Sequence, residues 1–162
     1  MDDVLIPYKY TKYAHITSLP FLYLSYLCKN NNHIVTSNLF VLCYILTNMH
    51  WYNLKKNGFI RYFDMLVVVT LFISCYIDAY KYDCFNVYCI NTFVSIGGFC
   101  FNEYLNELSL YNLSFNYLFS NEMKIKVYKR SVFMHLLFVH ILMSCNGLYV
   151  LFRCKQTNGQ TC

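Results

Sequence analysis

Polar breaks divide an otherwise apolar chain into segments of helical length. Ser18 offers a cap to a helix whose first turn accepts Pro20, and "LPFLYLSYLCK" runs on to the polar break "NNNH" at 30–33. Thr36 and Ser37 offer the next start, ahead of "NLFVLCYIL", and that run closes at the Gly-containing connection "NLKKNG", 53–58. From Arg61 to Asp78, with "MLVVVTLFISCYI" at its centre, the sequence is apolar on nearly every helical face, which predicts a helix buried in a core or in lipid. "FNVYCINTFVSI" fits a short fourth helix or a strand, since periodicity does not separate the two over so short a run. Gly97 and Gly98 then predict a stop and a change of direction, because adjacent glycines supply positive φ or close backbone approach. A fifth helix follows on a stripe of Tyr104, Leu105 and Leu108, and a last apolar segment, "SVFMHLLFVHILM", begins at Ser131 and ends near "SCNG". With no strong hairpin signal and no solenoid repeat, the expected fold is all-α, with five or six helices.

Length and composition narrow this further. At 162 residues the chain suits one domain with a real core. Hydrophobic residues make up 57%, charged residues 13%, and the mean hydropathy is +0.34, which makes membrane insertion the first rival to a soluble fold. Segments 34–54 and 131–152 hold enough residues without Asp, Glu, Lys or Arg to cross about 30 Å of hydrocarbon. The Thr, Ser, Asn and His residues within them, and the shortness of Met65 to Ile77, favour a soluble core over lipid.

Charge and chemistry add exclusions. The net charge is +5, and its densest run, "KIKVYKR" from Lys124 to Arg130, alternates with apolar residues as a solvated helix face does, so no nucleic-acid partner is expected. Nine cysteines lack zinc-site spacing, the closest pair being Cys84 and Cys89, and read as free thiols in a reducing compartment. His135 and His140 are five apart and diverge by about 140° on a helix, which suits structural histidines better than metal ligands. No nucleophile-base pair, paired carboxylates or phosphate-cradling loop stands out, so neither catalysis, a metal nor a cofactor is expected. The N-terminal "MDDVLIPYKYTKY" lacks the basic start and continuous apolar core of a secretory signal.

The order of elements resembles the cyclin box, in particular that of the P-type or U-type cyclins. The resemblance is carried by "SIGG" followed by "YLNELSLYNL", by "ITSLPFLYLSYLCK" for the first helix, by "CYIL" in the second and by "SFNYLFSNEM" on leaving the box. It covers residues 14–130, which leaves 1–13 as an N-terminal tail, 131–152 as a C-terminal apolar helix and 153–162 as a tail. It implies a non-catalytic subunit that binds a cyclin-dependent kinase in the nucleus or cytoplasm, in cell-cycle or nutrient-linked control. The glycine turn would set the fifth helix beside the third, so that Phe72, Cys75, Tyr76, Asp78, Asn106 and Ser109 face the kinase. The sequence departs from the family where it matters most. The Lys and Glu that hold the kinase's regulatory helix fall on Cys75 and Ser109, an Asp-Arg falls on Leu46 and Thr47, and a His-Arg on Phe63 and Asp64.

Overall fold

A computed structural model describes residues 8–52, 59–115 and 121–158, the side chains of 106–115, 121, 124, 155 and 157–158 excepted. The described residues form helices and no strand: α1 (Tyr8–Thr17), α2 (Leu19–Asn30), α3 (Ile34–Tyr52), α4 (Phe59–Lys81), α5 (Phe85–Phe115), α6 (Asn121–His135), a π-helical segment (Leu136–Ile141) and α7 (Leu142–Asn158). The all-α expectation holds. Two junctions barely interrupt the helix. At the first, the Ser18 amide donates to the Ala14 carbonyl at 3.0 Å, and α1 passes into α2. At the second, the π segment joins α6 to α7, so five long rods result.

The rods run alternately up and down. Thr11 Oγ1 donates to the Trp51 carbonyl and Ser25 pairs with Ser37, which sets α1–α2 antiparallel to α3. Thr47 with Asp64 and Thr36 with Ser74 set α3 antiparallel to α4. Arg61 with Glu103, and the Tyr88 hydroxyl with the Phe72 carbonyl, do the same for α4 and α5. Asn91 with Asn146 and Asn102 with the Ser131 carbonyl close the bundle through the last rod. Phe21, Leu24, Phe40, Cys43, Leu71, Ala79 and Tyr88 form the apolar centre between them.

Local signals explain the turns. Asn32 takes φ 63°, a left-handed position that asparagine tolerates, and lets the His33 amide reach back to the Cys28 carbonyl at 2.9 Å. Asp83, at φ 53°, performs the same service between α4 and α5. The expected capping roles are not the observed ones. Ser18 makes no side-chain cap and donates to the His15 carbonyl, while Thr36 and Ser37 lie inside α3, buried, and bond across to α4 and α2. The segment expected to be a tail is helical from Tyr8.

The largest departure lies at Gly97 and Gly98. No described glycine has positive φ, and α5 runs straight through both for 31 residues. The fourth element is therefore a helix, and it is one rod with the expected fifth. Glycine's missing side chain serves packing here. A Cβ on Gly98 would collide with the Phe138 ring, whereas a Cβ on Gly97 would meet nothing within 4 Å.

Helix α4 departs from expectation as well. It was expected to be enclosed on all sides, yet it buries one face through Val67, Leu71, Cys75, Asp78 and Ala79. Leu66, Val69, Ile73 and Ile77 are exposed. Five rods leave α4 at the side of the bundle, with too few neighbours to cover its other faces.

Candidate functional site

The positions implied by the cyclin resemblance do not come together. Cys75 and Asp78 are buried, Phe72 is half-buried against the core and Tyr76 is exposed, its ring centroid 4.9 Å from that of Phe85. Asn106 and Ser109 belong to the backbone of α5, and their side chains lie outside the described residues. Because Arg61 faces Glu103 and Phe72 faces Tyr88, residue 106 sits past the start of α4, about 25 Å along the bundle from Cys75 at 1.5 Å per residue. The cause is the uninterrupted α5: without a turn at the glycines, its last turns continue away from Cys75.

Asp78 belongs instead to a polar network between the rods. Its Oδ1 lies 3.2 Å from His33 Nδ1, and its Oδ2 accepts from Thr36 Oγ1 at 3.2 Å, while Thr36 pairs with Ser74 at 2.7 Å. The Tyr82 hydroxyl lies 3.2 Å from His33 Nε2. Burial, aided by the nearby Cys154 thiol and Asp78 carboxylate, pushes that hydroxyl up to about 12, so it remains a donor at neutral pH. His33 thus bridges Asp78 and Tyr82 through its two ring nitrogens. Farther along, Asn146 donates to the Tyr88 carbonyl and to Thr92, and Thr17 pairs with His140 at 2.8 Å.

A cleft of about 250 Å³ opens on the side of the bundle between α3, α4, α5 and the last rod. Its walls are mainly apolar, with Phe21, Val68, Phe72, Ile96, Phe99 and Val139 among them, and its polar groups are Thr47, Asp64, Ser95 and His135. Thr47 Oγ1 donates to Asp64 Oδ1 at 3.2 Å. Ser95 Oγ is buried without a hydrogen-bond partner. The His135 ring is packed by aromatic edges, with Trp51 at 4.8 Å and Phe99 at 5.8 Å. The π-helical segment starts directly after His135, and such bulges are frequent at functional sites.

Sequence reasoning missed this cleft. Asp64 was visible as an acid at the head of an apolar run, but Thr47, Ser95 and His135 join it only through the packing of four rods. No group of three or more His, Cys, Asp or Glu residues able to hold a metal occurs among the described residues, and the described cysteines are free thiols. Chemically, the cleft offers an apolar volume with one carboxylate and two hydroxyls, suited to holding an amphipathic molecule.

Two stretches are long and apolar enough to cross a membrane by length and composition, Phe59–Lys81 and Ile125–Cys154. In the most apolar window of each, 17% and 33% of residues are buried, well short of an enclosed core helix. No protein-family model, curated protein or solved structure matches the chain.

Proposed function

We propose that the chain is an integral membrane protein that crosses a bilayer five times and acts by non-covalent recognition inside its bundle. The observation that carries this is the inverted placement of polarity. Ser25, Ser37, Thr47, Asp78, Asn102 and Asn146 are buried between rods, while Ile45, Val69, Ile73, Ile90, Phe93, Ile141 and Leu148 are exposed on the outside. Water favours the reverse, and a bilayer favours this.

Charge spacing agrees. Between Lys12 and Lys29, Lys29 and Lys55, Asp83 and Glu103, and Arg130 and Arg153 there is no Asp, Glu, Lys or Arg. Between Arg61 and Lys81 there are two, Asp64 and Asp78, both turned to interior hydroxyls. At 1.5 Å per residue these charge-poor stretches would be about 25–40 Å long, enough for the thickness of a hydrocarbon core. The up-and-down register brings their ends to two common levels, marked by the Arg61–Glu103 pair at one and His33–Asp78 at the other. Exposed tyrosines gather near both: Tyr8, Tyr52, Tyr62 and Tyr104 at the first, Tyr26, Tyr76 and Tyr80 at the second. Tyrosine suits the interface, where its ring meets hydrocarbon and its hydroxyl meets water. In the exposed middle of α4, Thr70 Oγ1 donates to its own helix at the Leu66 carbonyl, at 2.9 Å, so its hydroxyl needs no water.

Lysine and arginine are unevenly shared between the two ends. Lys9, Lys12, Arg61 and the Lys124, Lys126, Lys129 and Arg130 run fall toward the N-terminal level. Lys29, Lys81, Arg153 and Lys155 fall toward the other. The positive-inside tendency then puts the N-terminus on the cytoplasmic side.

Alkaline carbonate extraction of membranes from cells expressing the protein tests the proposal. Retention in the lipid pellet is the expected result. Release into the supernatant would overturn it and favour the soluble, cyclin-like regulator of a cyclin-dependent kinase.

A further inference from the structure

We propose that the lateral cleft is a binding site for a single-chain primary alkylammonium, its head on the Asp64 carboxylate and its chain along Val68, Phe72, Ile96 and Phe99. The inference rests on the membrane reading for the route of entry, since the exposed rim residues Met65, Val69 and Ile96 open the cleft to the flank where lipid chains would lie.

The lining selects this chemistry. Asp64 is the one acidic side chain in the lining, and the lining contains no lysine or arginine. A carboxylate in an apolar wall is served by Thr47 at 3.2 Å and has acceptor capacity left for a cationic donor, which forms the stronger kind of hydrogen bond. The Ser95 hydroxyl, buried without a partner, supplies an acceptor to the same molecule. The aromatic rings Phe21, Phe72 and Phe99 in the wall tolerate a cation at their faces better than they tolerate an anion. His135, also in the lining, is held by ring contacts with Trp51 and Phe99.

Volume sets the length. A dry cavity of about 150 Å³ accommodates benzene. By proportion, the 250 Å³ here suits about ten non-hydrogen atoms, as in nonylammonium.

The test is calorimetric titration of the intact protein in lipid nanodiscs with nonylamine, 1-nonanol and nonanoate at neutral pH, each corrected against empty nanodiscs. The site predicts saturable binding of the amine about tenfold or more tighter than the alcohol, from one charge-assisted hydrogen bond, and no saturable binding of the carboxylate. Asp64→Asn, which keeps an oxygen for Thr47, should bring the amine to within about threefold of the alcohol. Ile96→Trp, at an exposed rim position, should abolish saturable binding of both without changing the thermal midpoint. Equal binding of all three probes, or an Asp64→Asn variant that binds the amine like the native protein, overturns the proposal. If the Asp64 variant does not fold, the order amine, alcohol, carboxylate on the native chain still decides. If carbonate releases the protein, the same titrations in buffer separate failure of the cleft from failure of the membrane reading.

Discussion

Gly98 on α5 and Phe138 in the π-helical segment are in direct apposition: a Cβ at Gly98 would collide with the Phe138 ring at Cδ1 and Cγ. The second glycine thus marks where two rods touch, and the first, Gly97, faces open space. Gly98→Ala should destabilise the bundle by about 1–3 kcal/mol, as overpacking does. Gly97→Ala should be neutral or slightly stabilising, since alanine is the better helix former. Thermal midpoints of the two variants in the same detergent check this, with Gly98→Ala/Phe138→Leu recovering part of the loss. Equal effects at both positions would remove the packing role from Gly98.

Val69, 55% exposed on the outer face of α4, is a position at which the proposed bilayer setting and a soluble fold predict different outcomes. In a bilayer, Val69→Asp near mid-span should oppose insertion by about 2.5–3.5 kcal/mol. On a soluble protein the same exposed substitution would stay within about 0.5 kcal/mol. The fraction of chain recovered in the membrane after expression reads the difference. Leu71→Asp, at a fully buried position on the same helix, should be disruptive in either setting.

Asp78 should be structural rather than partner-facing. Removing its carboxylate strands His33 Nδ1 and takes one of two partners from Thr36, so Asp78→Ala should cost about 1–3 kcal/mol. Asp78→Asn retains an acceptor and should cost less. Denaturation of both variants in mixed micelles gives the comparison, and equal stability of all three chains would show the network contributes nothing.

Much of the fold could be read from the chain, and the misses have identifiable causes. "NNNH" ended α2 because an asparagine at Asn32 accepts positive φ, and the apolar runs after Ile34, Arg61 and Ser131 became α3, α4 and the last rod. The glycine pair misled because a glycine required for close approach has the same sequence signature as one required for a turn. Only the neighbour, Phe138, forty residues later, distinguishes them. An all-round apolar helix was equally ambiguous: Met65 to Ile77 fits a core or lipid, and the choice depends on how many rods surround it. The candidate cleft was not legible at all as a unit. Thr47, Asp64, Ser95 and His135 come from four rods, and each taken alone has an ordinary structural explanation.

The central claim, five crossings of a bilayer, makes a parity prediction that sidedness of the two ends tests most directly. Epitope tags at the N- and C-termini, probed in sealed vesicles of known orientation by protease before and after permeabilisation, should lie on opposite sides, with the N-terminal tag cytoplasmic as the lysine and arginine distribution requires. Both tags on one side, or both in the soluble fraction, would contradict the account.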